Sequence, residues 1–181
     1  MLFRSIFSLA CISAVLANPL HPRQTENTNE QINQIVDSLD MAIHVSIPNI
    51  LTMQASHRAN DATVGPELAD VTTAFNSTAN DLNATPISSG SNTTRPRDDD
   101  ITVTYTTALS MTVTGISGLT EDMVPGLRGM LDDLDEAIAA SIAALNRTLP
   151  GSGTLTHIMM LDARQFAEAQ GLDATVAALG F

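Results

Sequence analysis

Lysine and tryptophan are missing from this chain, aromatic residues are scarce, and cysteine occurs once, at Cys11. Without lysine, eight arginines supply all of the fixed positive charge against 20 acidic residues, a formal net charge of -12. Nucleic acid is therefore excluded as a partner, because phosphate binding needs clustered basic side chains. The same deficit argues against electrostatic docking on anionic lipid, for which a polybasic patch is the signature. Any attraction to a lipid or a surface must be apolar. No stretch is long and apolar enough to span a bilayer, which takes about 20 residues.

The lone cysteine lies in a segment that reads as an address. Arg4 precedes an apolar run over 5–16, and the small residues Val15 and Ala17 prepare cleavage before Asn18, the three-part pattern of a secretory leader. Residues 1–17 are expected to be removed, leaving 164 of the 181 residues with no thiol. Disulfides, thiolate metal clusters and cysteine nucleophiles are thereby excluded, so the domain must hold itself by core burial. That length suits one domain, able to bury about 70% of its unfolded surface. Arg4 leaves with the leader, and the remaining charge is -13. The end, 174–181, is too short for a lipid-anchor tail.

What is present is a helical palette of Ala, Leu, Ile, Val and seven methionines beyond the leader, with Phe75, Tyr105, Phe166 and Phe181 the only aromatics there. Methionine is expected to act as gap filler. Residues 18–27, with Pro19 and Pro22, read as a flexible tail, and Pro22-Arg23 could be a second processing site. From Asn29, the apolar residues Ile32, Ile35, Val36, Leu39 and Ile43 fall at helical spacing. Pro48 makes the continuation to about His57 a kinked extension or a separate short helix. Asn60, Asp61, Gly65 and Pro66 read as a break, and Leu68, Val71, Phe75, Ala79 and Leu82 then predict a helix over 66–83.

Residues 85–100 have no periodic apolar residue and read as a mobile surface linker, ending in three aspartates of which Asp100 is the expected helix cap. Residues 101–114 are ambiguous. Alternating Thr and apolar residues suit a strand, but no second strand is available to pair, and Ile101, Tyr105, Ala108, Leu109, Thr112, Ile116 and Leu119 share one helical face. Helix is the expectation. Val124, Leu127, Leu131, Leu134, Ile138 and Leu145 carry the three-and-four spacing of a bundle helix, with Glu121 and Asp122 expected in its first turn and Arg147 in its last. The run 149–153 is a stop and a turn. Thr154 is expected to cap a helix over 154–170, with Leu155, Ile158, Met159, Phe166 and Ala169 inward, before a short closing helix over 173–179. The sum is an all-α protein: one bundle over 28–181 of five principal helices and a short one.

Recognisable catalytic motifs are missing, so no catalytic, metal or cofactor residue is assigned, and the protein is expected not to be an enzyme. His21, His44, His57 and His157 are scattered. His44 with Asp40 and His57 with Asp61 read as surface pairs. Asp132, Asp133, Asp135 and Glu136 read as a solvated helix face rather than a metal or acid-base site. Asp162 falls on the expected inner face of its helix, so it is either a buried carboxylate paired with Arg128 or Arg164 or, on a small rotation, an edge residue. Four asparagines lie in N-glycosylation sequons, in order of promise Asn92, Asn83, Asn146 and Asn76.

The cysteine-free domain length, the leader and helices such as 35–43 (IVDSLDMAI) and 131–140 (LDDLDEAIAA) resemble the fungal hydrophobic surface-binding proteins and related cell-wall galactomannoproteins. The resemblance covers most of residues 28–148 as a pattern, with no short invariant motif. It implies an all-α bundle, secretion or cell-wall association, and adsorption to hydrophobic surfaces, some relatives enclosing fatty acids between helices; no ligand-binding residue can be carried over. The expected partner is a hydrophobic surface, lipid or fatty acid, with a cell-wall polysaccharide or a secreted hydrolase as further classes. Two alternatives remain: a glycosylated structural or host-interaction protein without a cavity, and an atypical hydrolase using His157 with Asp162 or the acidic cluster.

Overall fold

A computed structural model describes residues 27–181. The expected leader, most of the expected tail, Cys11, His21 and Arg23 lie outside the described residues. Within them the chain is all-helical, with no strand. Four long helices, α1 (Asn29–Ala55), α2 (Asp61–Ala84), α3 (Asp98–Ile116) and α4 (Leu127–Thr148), are followed by three short ones, α5 (Ser152–Met159), α6 (Arg164–Ala169) and α7 (Asp173–Ala178).

The long helices pack in the order α3, α1, α2, α4, and the short helices close the ring, α5 and α6 lying on α3 and α7 on α4. Hydrogen bonds at the two ends show the directions. At one end, called upper here, Asn29 Nδ2 donates to Asp98 Oδ1 at 2.7 Å and Thr148 Oγ1 to Leu82 O at 2.9 Å. At the lower end Gln54 Nε2 donates to Gly115 O at 3.3 Å and the Gly126 amide to Asp61 Oδ1 at 2.9 Å. Helices α1 and α3 therefore run downward and α2 and α4 upward. Tyr105 on α3 crosses the middle to Ser141 on α4.

Each long helix buries one apolar stripe because its sequence repeats at 3.6 residues. In α1 the stripe is Ile32, Val36, Leu39, Ile43, Ile47 and Ile50. The helix is the expected extension through Pro48, one element to Ala55. Pro48 is exposed, so the carbonyl it leaves without a partner can turn to water. A Cβ at Gly115 would overlap the Ile47 side chain, so the close approach of α3 to α1 requires glycine there.

Helix α2 starts five residues before the expected 66. Asn60 and Asp61, which resemble a break, are a start signal. The Asn60 side chain accepts the amides of Ala62 and Thr63 at 2.9 and 3.2 Å, and Thr63 Oγ1 accepts the Asn60 amide at 3.1 Å. Gly65 and Pro66 then fall inside the helix.

Residues 101–114 are helical, with Ile101, Tyr105, Ala108, Leu109, Thr112 and Ile116 buried and Val103 exposed. The threonines that made a strand plausible bond within the helix. Thr102, Thr106 and Thr112 each donate to the carbonyl four residues back, at 2.8, 2.7 and 2.9 Å, so buried hydroxyls cost little. Asp100 caps this helix from its third position: its Oδ2 accepts the Arg97 amide at 3.3 Å and its Oδ1 meets the Arg97 guanidinium at 3.0 Å. That hydrogen bond and the backbone one hold the Asp100 carboxyl below its usual range.

The segment expected as a mobile linker over 85–100 begins where expected, after Ala84, but ends early. Residues 98–100 are the first turn of α3, and the rest is fastened by polar contacts that carry no hydrophobic period. The Ser88 amide donates to Thr148 O at 2.8 Å, Ser88 Oγ donates to Asn29 Oδ1, and the Ser91 amide donates to Asp98 Oδ1 at 2.7 Å. Thr85, Ser88 and Ser91 are buried.

Helix α4 starts at Leu127, after Gly126, so Glu121 and Asp122 precede its first turn, while Arg147 does lie in its last. The expected helix over 154–170 is two helices separated at 160–163. Gly151, at φ 96°, occupies the cap position instead of Thr154. The expected inner face is also wrong: Ser152, Thr156, Met160, Ala163 and Ala167 are buried. The closing helix matches, with Leu172 and Leu179 buried at its ends.

Candidate surface-contact site

The interior of the bundle is filled by its own side chains. Tyr105, Phe75, Ile43, Leu82, Leu109 and Ile116 retain essentially no exposure. Met160 is buried, and Met53, Met111, Met123 and Met130 pack against the core, the gap-filling role expected of them. A groove of about 470 Å³ lies at the lower end, where Leu119 and Leu127 alternate with Arg128, Glu168 and Gln170. Such a lining lacks the apolar predominance of a fatty-acid pocket.

Apolar groups collect instead on the outside of the C-terminal helices. Ile158 is 55% exposed, Met159 37% and Leu161 55%, three large side chains within four residues. Their helix buries hydroxyls: Ser152 and Thr156 retain 4% and 2% exposure. Thr156 Oγ1 donates a long 3.3 Å hydrogen bond to Thr106 Oγ1 on α3, whose own proton goes to Thr102 O, whereas Ser152 Oγ is the one buried side-chain polar atom among the described residues with no partner. Met41 and Val45 form a second exposed pair, one turn apart on α1.

The expected ionisable sites do not assemble. His44 does meet Asp40, at 3.3 Å, but Asp61 turns from His57 to the Gly126 amide. The His157 ring donates from Nδ1 to Leu179 O at 2.8 Å and stacks on Phe181 at 4.3 Å, which ties the chain end to α5. Asp162 is exposed and pairs with neither arginine, since Arg128 pairs with Asp132 at 2.7 Å and Arg164 with Glu168 at 2.5 Å. The rotation that puts hydroxyls inward carries Asp162 outward.

Of the acidic cluster, Asp132, Asp133 and Glu136 are solvated as expected. Asp135 is buried and structural: its carboxylate accepts the amides of Ala174 and Thr175 at 2.8 and 2.7 Å, capping α7. No three His, Cys, Asp or Glu side chains converge on a metal position among the described residues.

The sequon asparagines Asn76, Asn83, Asn92 and Asn146 are all exposed. Asn83, Asn92 and Asn146 belong to the upper end, with Asn76 two helical turns below Asn83. The sequon hydroxyls of Thr78, Thr85 and Thr148 are buried and bonded to carbonyls, while Thr94, beyond Asn92, is exposed.

Among the described residues no helix is long and apolar enough to cross a membrane. No protein-family model matches the chain, and a comparison with curated proteins finds no match. The likeness to hydrophobic surface-binding proteins thus rests on the residue pattern alone.

Proposed function

We propose that this is a secreted, non-enzymatic protein that binds hydrophobic surfaces or lipids through its outer apolar side chains, in association with a cell wall. The observation that carries the reading is the exposed group Ile158, Met159 and Leu161 beside a filled interior. Large apolar side chains moved from water to an apolar phase contribute about 1.5–3 kcal/mol each when fully transferred. Three together support useful adsorption without any charge attraction, which an acidic, lysine-free chain does not offer to anionic surfaces. The filled interior favours this surface version over a fatty acid enclosed between helices.

Quartz-crystal adsorption to an alkylated surface tests the reading. Uptake should exceed that of a generic acidic protein of equal size, and the triple replacement Ile158→Ser, Met159→Ser, Leu161→Ser should remove most of the excess while leaving the fold intact. Uptake equal to the control would sink the proposal. A second reading, a glycosylated structural or host-interaction protein, is favoured by the sequons at the upper end. Replacing Asn83, Asn92 and Asn146 by Gln should abolish that contact and spare alkyl adsorption.

A further inference from the structure

Helix α5 is docked inside out. Ser152, Thr156 and Met160 recur every four residues on its buried side, whereas Ile158 and Met159 face solvent and Leu161 follows them. A surface helix in water ordinarily does the reverse. The seam it makes with α3 is weakly held. Thr156 has one long hydrogen bond, donated to Thr106 Oγ1, and Thr106 keeps its own 2.7 Å bond to Thr102 O when the seam opens. Ser152 Oγ is buried without a partner and would gain one on release.

The ends of α5 can hinge. Gly151, at φ 96°, precedes it with open space where a side chain would stand, and the turn at 160–163 follows it. Met160 is the one large apolar side chain that release withdraws from the core, and an apolar phase would receive it.

We propose that α5 is a latch that leaves α3 on meeting an uncharged acyl surface and lays Ile158, Met159, Leu161 and Met160 into it, an inference that rests on the surface-binding reading. The occupant is argued from charge. Across 152–163 the ionisable side chains are His157 and Asp162, no lysine exists, and the chain is acidic, so anionic headgroups repel this edge and zwitterionic ones do not. In water the closed state holds, and the acyl surface shifts the equilibrium by binding only the open one.

The test uses the chain from residue 18 onward with Thr156→Cys, which then carries a single thiol, and phosphatidylcholine vesicles as the probe. Maleimide should react slowly with Cys at 156 in buffer and about tenfold faster or more on vesicles. A parallel variant, Ile158→Trp, supplies the chain's one tryptophan and reports attachment by a blue shift of its emission. A blue shift with the thiol still protected overturns the latch and leaves surface binding standing. No shift and no co-sedimentation with vesicles overturns both, and fast labelling in buffer overturns the closed seam. A second variant, Ser152→Ala with Thr156→Val, makes the seam apolar and should weaken vesicle binding several-fold without lowering thermal stability; tighter binding would contradict the latch.

Discussion

Tyr105 is wholly buried on α3, and its hydroxyl donates to Ser141 Oγ at 2.5 Å, which in turn donates to Ile138 O at 2.8 Å. Burial pushes its phenol above the ordinary value of 10, the Ser141 bond opposing only in part. A group whose folded pKa lies above its unfolded one favours the fold below the unfolded value and loses that contribution as pH rises through the folded one. Stability should therefore fall above pH 10. Because the chain has one tyrosine and no tryptophan, the phenolate band should appear together with loss of helicity and not before it. Tyr105→Phe should remove this alkaline sensitivity and cost about 1 kcal/mol at neutral pH in a denaturant titration.

Asp135 makes the same point with a charge. Asp135→Ala leaves the half-buried Ala174 amide and the buried Thr175 amide of α7 without their acceptor and should cost about 2 kcal/mol, with faster hydrogen exchange at both. Beside its three acidic neighbours it looked like another solvated side chain. The available signal was its place on the helix, between Leu131 four residues before and Ile138 three after, on the apolar stripe.

At the scale of elements, the long helices were legible because their apolar residues repeat at 3.6 and their cores are built from those residues. What was lost was polar. The capping box at Asn60 uses residue types that also signal turns, and its loss through Asn60→Ala should lower stability by about 1 kcal/mol, read as a lower midpoint of thermal unfolding. The C-terminal region misled in the opposite sense, since Leu155, Ile158, Met159 and Phe166 have helical spacing yet none is fully buried and Ile158 and Met159 face outward. Periodicity identifies an apolar face without saying what lies against it; here the wall of α3 carries Thr106, and hydroxyls meet hydroxyls. That same miss hid the candidate site, which is visible only once buried and exposed faces are assigned.

For the whole molecule, composition was enough to predict an all-α bundle, but the ring order and the placement of sequons near one end depend on which helices run parallel. The excess of negative charge makes a further expectation. Adsorption to an alkyl surface should change little with ionic strength, whereas association with vesicles containing anionic lipid should be weak at low salt and rise as salt screens the repulsion. Vesicle co-sedimentation across a salt series checks this, and binding that weakens with added salt would instead point to a basic contact.

The cap on α7 links residues 40 positions apart in the chain. During synthesis the Asp135 carboxylate emerges well before the amides it will hold, and α4 can pack against α2 while that side chain is still hydrated. A six-residue helix has too few turns to persist alone, so α7 forms only when it reaches this acceptor. Completion of the ring therefore waits until residues 173–178 have emerged, and loss of α7 would leave a bundle with an open side and a charge waiting beneath it.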